Sequence, residues 1–256
     1  MNKQQAIHGY LSPALPRIFA HRGFAASPGV SENTVEAFEA AIELGATHIE
    51  SDIQVTKDGI PVLFHDDDLA RVAGLPQKIS ELLLTEVLAV ELEGGGRIPT
   101  LRQALLGFPT ARFNLDLKVW SAVLPATQII RELGAESRVL LTSFSDRRRA
   151  SAIKQVQVSS SAGSSRVLGL WLAAKLRIRP VVHRLAKPVQ ALQIPTRKGP
   201  IRFDSPKFIA QMIGAGLELH YWTINDPKEM LRLAALGASG IVSDRCDVAK
   251  ATLRQS

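Results

Sequence analysis

The stretch SPKFIAQMIGAGLELHYWTI, Ser205 to Ile224, decides the fold class, because it holds three kinds of local signal in succession. Residues 205–215 are amphipathic, Gly216 stands where a left-handed helix cap would sit, and residues 218–224 have the β character of a strand. The same order returns along the chain: Gly45, Gly134 and Gly237 each follow an amphipathic run. Amphipathic segments at 33–44, 122–133, 146–154 and 227–236 alternate with strand candidates at 17–20, 47–55, 111–117, 138–142, 156–160, 189–194, 218–224 and 240–243. About eight strands joined by helices predict an α/β fold with parallel strands, able to close as a (β/α)8 TIM barrel. Residues 60–64 extend the second unit. Residues 66–98, which include Gly94-Gly95-Gly96, are expected to form a small insertion after the second strand, too short for a core of its own. The reading is therefore one barrel domain over 1–256, with the serine-rich segment 159–165 as a loop at a strand end.

Composition agrees with that class. The chain has 256 residues, a length one barrel fills, and 46% are apolar, ample for a closed core. Apolar runs stop well short of the roughly 20 residues a membrane span needs. Residues 1–16 lack a basic patch followed by an apolar core and a small-residue cleavage site, so a cytoplasmic protein is expected. Cys246 is the only cysteine, which excludes an internal disulfide, and it reads as a small buried hydrophobe. Lys and Arg number 31 against 24 Asp and Glu, an excess that suits nucleic acid, membrane headgroups or phosphorylated metabolites without choosing among them. Lys175, Arg177, Arg179, Arg184, Lys187, Arg197, Lys198 and Arg202 lie in a stretch with almost no acid. It reads as a solvated basic face or as a surface recruiting anionic substrate or lipid.

Chemistry concentrates between Ala20 and Asp66. Ala20-His21-Arg22-Gly23 is followed by Ser31-Glu32-Asn33-Thr34, His48-Ile49-Glu50-Ser51-Asp52, Thr56-Lys57-Asp58-Gly59 and Phe64-His65-Asp66. Glu50 and Asp52 alternate with Ile49 and Ile53, so both carboxylates point to one side of a strand. Such a pair repels itself unless a positive group lies between, so it reads as a site for a hard divalent cation, as a pair bound to Arg or Lys, or as a solvent-facing acidic pair. His21 and His65 end neighbouring strand segments, followed by Arg22 and Asp66. A histidine donates or accepts a proton near neutral pH, and a guanidinium forks onto phosphate oxygens. One histidine alone is more often structural; two, with an arginine and paired carboxylates at three strand ends, reverse that preference, and a phosphodiester cleavage needs a proton both taken and given.

This ordered set resembles the glycerophosphodiester phosphodiesterase family. The likeness continues through Leu69 and Arg71, Ile98-Pro99-Thr100-Leu101, Asn114-Leu115-Asp116-Leu117-Lys118, Ser143-Phe144-Ser145, Tyr221-Trp222-Thr223-Ile224-Asn225 and Gly240-Ile241-Val242-Ser243-Asp244, over roughly 17–254. The resemblance implies a (β/α)8 barrel with His21 and His65 as an acid–base pair and Arg22 on the phosphate. It implies Glu50, Asp52 and Asp116 as ligands of Mg2+ or Ca2+, with Lys118 reaching the phosphate or the metal-bound oxygens. Asp116 departs from the usual Glu by one methylene. Ser31 replaces a proline and Val72 a threonine, and the poorly matched segment before Ile98 is expected to set the alcohol preference. Trp222 is read as lining the pocket or as plugging the barrel. Trp171, Leu172, Leu176 and Ile178, interleaved with Lys175, Arg177 and Arg179, form either a membrane-touching lip or an ordinary barrel helix with a wet basic face.

Three functions follow from this reading: a hydrolase of glycerophosphodiesters releasing glycerol 3-phosphate, a lysophospholipase D-type relative, and a non-catalytic barrel binding phosphate compounds. No nucleic-acid motif joins the basicity, so no nucleic-acid partner is expected.

Overall fold

A computed structural model of the chain describes residues 9–26 and 29–254. Its strands are β1 (Arg17–His21), β2 (His48–Val55), β3 (Pro61–Leu63), β4 (Phe113–Leu117), β5 (Val139–Thr142), β6 (Ser159–Ser160), β7 (Ala191–Ile194), β8 (Arg197–Lys198), β9 (Ile201–Arg202), β10 (Glu218–Tyr221) and β11 (Gly240–Ser243). Eight of them are parallel in the order β6-β5-β4-β2-β1-β11-β10-β7. A bridge between Ser161 and Ala191 joins the two ends of that row, and the sheet closes as a (β/α)8 barrel. β3 turns back antiparallel onto β2, while β8 and β9 form a short hairpin beyond the end of β7.

The amphipathic runs become helices because each buries one stripe against the sheet. Val35–Glu43 buries Ala37, Phe38 and Ala41, and Pro206–Gly214 buries Phe208, Ile209 and Met212. Thr34 and Ser205 cap these helices, each hydroxyl accepting the N–H three residues on. Gly216 has φ +80°, as its reading as a left-handed cap requires, and Gly45, Gly134 and Gly237 also have positive φ.

One expectation is corrected. The fifth strand candidate, 156–160, shrinks to Ser159–Ser160, and the serine segment expected as a loop at 159–165 instead begins with the seam, Ser159 to Ser161, that closes the barrel. Serine works there because side chains facing the interior find polar partners: Ser161 Oγ donates to Thr142 Oγ1 at 2.6 Å. Two helices, Ser164–Lys175 and Arg179–Ala186, then fill the return to β7.

The insertion carries the short helices Ala70–Ala73 and Leu84–Ala89, and packs through a small apolar cluster of Val62, Phe64, Leu69, Ile79, Val87, Leu92 and Ile98. Inside the barrel, the Phe19 ring lies 4.5 Å from His48 and 4.6 Å from His220. A Cβ at Gly240 would fall 2.6 Å from the Phe19 ring and 2.9 Å from His220, so only glycine fits that position of β11. Arg17 pairs with Glu218 at the floor of this column, and His220 Nε2 lies 3.0 Å from the same carboxylate. No helix among the described residues is long and apolar enough to cross a membrane.

Candidate active site

Barrel register carries side chains of alternate strand residues to one end. Glu50 pairs with Asn114 and with His21, Asp52 with Asp116, and Asp116 with Thr142, so these residues share the interior face near the C-terminal strand ends. They line a cavity of about 680 Å3 together with Arg22, His65, Lys118, Gln193 and Trp222. The structure thus gathers all eight site residues read from the sequence.

The two histidines are held alike. His21 Nδ1 lies 2.6 Å from Asp244 Oδ1, and His65 Nδ1 lies 2.6 Å from Asp66 Oδ1. Each carboxylate is anchored in turn: Asn225 Nδ2 donates to Asp244 at 2.8 Å, and Arg71 Nε donates to Asp66 at 2.6 Å. A carboxylate on Nδ1 fixes that nitrogen as the donor and leaves Nε2 for the cleft. Burial draws the His21 pKa down, but the bond to Asp244 and the charge of Glu50 outweigh it, and the net shift is upward.

Arg22 sits at φ +55° beside Gly23, a conformation that turns its backbone N–H onto Glu50 Oε2 at 3.2 Å. Its guanidinium donates to Glu32 at 2.9 Å, and Arg71 donates to the same carboxylate. Glu32 therefore bridges the arginine beside the first histidine to the arginine behind the second. Gly23 admits the close approach of helix Val35–Glu43, since a Cβ there would meet the Ala37 backbone at 2.8 Å.

Lys118 Nζ lies 2.7 Å from Asp52 Oδ1 and 3.0 Å from Asp116 Oδ2, between the carboxylates of adjacent strands. Burial opposes its charge, yet the two carboxylates push its pKa up to about 12. Burial and the neighbouring Asp52 push Glu50 up to about 7, and burial likewise raises Asp116. Among the described residues, no three acidic, His or Cys side chains already surround one point. The donor set nonetheless suits a hard cation. Asp52 Oδ2, Asp116 Oδ1 and Asn114 Oδ1 are buried oxygens without a hydrogen bond, and oxygen is what Mg2+ and Ca2+ prefer.

Trp222 lines the cavity, edge-on to Phe144 at 6.2 Å, and also packs on the cluster inside the barrel. Phe144, Ala162, Val167, Leu168, Ile194 and Phe203 make the far wall apolar. Trp171 is not part of an exposed lip. It is partly buried, packs on the core and donates from Nε1 to the Arg202 carbonyl at 3.2 Å. Reasoning from sequence gave no role to Asp244, Asn225, Arg71 or Glu32, although all four lie within the motifs; for Asp244 the available signal was its place directly after β11, the strand beside β1.

The model of the glycerophosphoryl diester phosphodiesterase family matches residues 21–248, from the first of these histidines to beyond Asp244. The chain belongs to that family. As a glycerophosphoryl diester phosphodiesterase family member it is an enzyme, a phosphoric diester hydrolase. It is 36% identical to "Probable glycerophosphodiester phosphodiesterase 2" of Mycobacterium tuberculosis, over 91% of this chain and 89% of that one. To lysophospholipase D GDPD1 of Homo sapiens it is 26% identical, over 90% and 83% respectively. Among solved structures, the Oleispira antarctica phosphodiesterase in complex with sn-glycerol-3-phosphate superposes with a TM-score of 0.77, at 23% identity over 94% of this chain and 97% of that chain. That likeness reports the barrel fold.

Proposed function

We propose that the chain hydrolyses glycerophosphodiesters to glycerol 3-phosphate and an alcohol, with His21 and His65 as the acid–base pair. The observation that carries this reading is the matched clamping of both Nδ1 atoms at 2.6 Å, which presents two Nε2 atoms to one cavity. Arg22 and Lys118 supply the positive charge that a phosphodiester bound there requires. One imidazole takes the proton of the oxygen attacking phosphorus, and the other gives a proton to the alcohol as its P–O bond breaks. Asp244 and Asp66 stabilise whichever ring is charged at each stage. Glu50, Asp52 and Asp116 would hold the divalent cation, in competition with Lys118 for the last two. When bound, such an ion neutralises phosphoryl charge.

A second reading, lysophospholipase D-type cleavage, is favoured by one feature. The wall formed by Phe144, Val167, Leu168 and Phe203 is apolar and faces the charged half of the same cavity. It would shelter an acyl chain better than a free headgroup, and the human relative carries that activity in its name.

One panel tests both readings: turnover of glycerophosphocholine and lysophosphatidylcholine with Mg2+, with Ca2+ and with excess chelator. Hydrolysis of the first with release of glycerol 3-phosphate, lost in chelator and restored by either cation, is the expected result. Preference for the lysolipid would make the second reading the main one. Absence of turnover on both with every cation would leave a phosphate-binding barrel.

A further inference from the structure

The charge of this chain is segregated along its sequence. Residues 147–203 contain thirteen of the 31 Lys and Arg and none of the 24 Asp and Glu, leaving eighteen basic residues against every acid elsewhere. This stretch folds as one flank of the barrel, made of the seam, helices Ser164–Lys175 and Arg179–Ala186, and the β8–β9 hairpin. Lys175, Arg177, Arg179, Arg184, Lys187, Arg197, Lys198 and Arg202 are all exposed there. Among the described residues, only Arg202 of these eight has a carboxylate within ion-pair distance.

The same flank exposes a run of large apolar side chains. Leu168, Leu172 and Leu176 follow one another at the spacing of one helical face and are 50%, 49% and 59% exposed. Ile178 and Val181 continue the exposure past the turn. Leu168 also lines the catalytic cavity, as do Arg197 and Lys198, so the patch is continuous with the pocket mouth. A soluble helix has no reason to leave three leucines in line toward water, and cations interleaved with them attract a negatively charged surface that accepts apolar groups.

We propose that this flank docks on an anionic lipid surface, with Leu172, Leu176 and Ile178 entering the headgroup layer while the surrounding cations meet lipid phosphates. Charge argues against a second copy of the chain as occupant, since two such faces would repel. The leucines argue against nucleic acid, which is gripped by cations and stacking aromatic rings instead. Docking is scored without turnover and stands apart from the hydrolase reading.

The test is flotation of the full chain with phosphatidylcholine vesicles and with phosphatidylcholine–phosphatidylglycerol vesicles, at low and high salt. Partition onto the anionic vesicles alone, weakened by salt, is expected. Arg179→Gln with Arg184→Gln should lower the partition coefficient roughly thirty-fold. Leu172→Ser with Leu176→Ser should lower it about tenfold or more. Both variants should melt as the parent does and turn over glycerophosphocholine at the parent rate, since none of the four residues touches the pocket. Failure of the parent to float with anionic vesicles overturns the proposal. So does binding that the charge variant loses and the leucine variant keeps, which marks a nucleic-acid-like polyanion, and so does a leucine-dependent dimer without vesicle binding. A chain inactive on every diester that still shows the expected flotation pattern would sink the hydrolase reading and leave this one intact.

Discussion

At the scale of single residues, the informative contact is the one between His21 and Asp244. Replacing Asp244 with Asn keeps the size of the side chain but removes the charge and invites the wrong imidazole tautomer. We expect kcat on a glycerophosphodiester to fall roughly 10²- to 10⁴-fold with KM little changed. Steady-state kinetics beside an unchanged melting curve would check this, and a near-parent kcat would remove Asp244 from the site. Much of this constellation was legible in the chain. Glu50 and Asp52 announced a shared face by their alternation with isoleucines, and His21 and His65 announced themselves by their neighbours. Asp244 did not, because the ring it orients is 223 residues away, and no local pattern carries that distance. Lys118 was expected on the phosphate or on the metal-bound oxygens; its position between Asp52 and Asp116 reflects burial of three charges that must neutralise one another.

At the scale of elements, the periodic units were readable and the seam was not. Helix, glycine, strand is a rhythm that burial of one helix face enforces, whereas β6 is two serines whose polarity mimics a loop. The helix Ser164–Lys175 hid its period because apolar residues lie both inward, at Val167, Leu170 and Ala174, and outward, at Leu168 and Leu172. Gln190 braces this weakest joint. Its backbone N–H donates to Ser160 O at 2.9 Å, and its side-chain Oε1 accepts the Ser160 N–H at 2.9 Å. Gln190→Ala leaves that N–H without its partner, so we expect a loss of about 1–3 kcal/mol. Denaturant titration would measure it, and an unchanged midpoint would show that the seam does not depend on this brace.

At the scale of the whole molecule, the barrel interior carries a pH limit. Burial lowers the pKa of His48 well below its ordinary value, and lowers that of His220 despite the nearby Glu218. An unfolded chain takes up protons on both as pH falls through about 6.5, while the folded barrel refuses them. Their stabilisation is therefore complete above about 6.5 and declines as pH falls toward the folded pKa values, at up to roughly 1.4 kcal/mol per unit for each. The raised pKa values of Glu50 and His21 act in the opposite sense over this range, so the check is a difference: from pH 7 to 5.5 the parent's melting temperature should fall relative to that of His48→Gln, and parallel pH profiles of the two would contradict the account. The closed ring has a further consequence, for synthesis. β1 finds its neighbour on one side only in β11, and His21 its carboxylate only just beyond it. A chain still growing on the ribosome can assemble most of the barrel wall yet keeps an unoriented first histidine. Under the acid–base role proposed for His21, hydrolytic competence arrives at once, with the last βα unit, as a completeness check that a truncated product would fail.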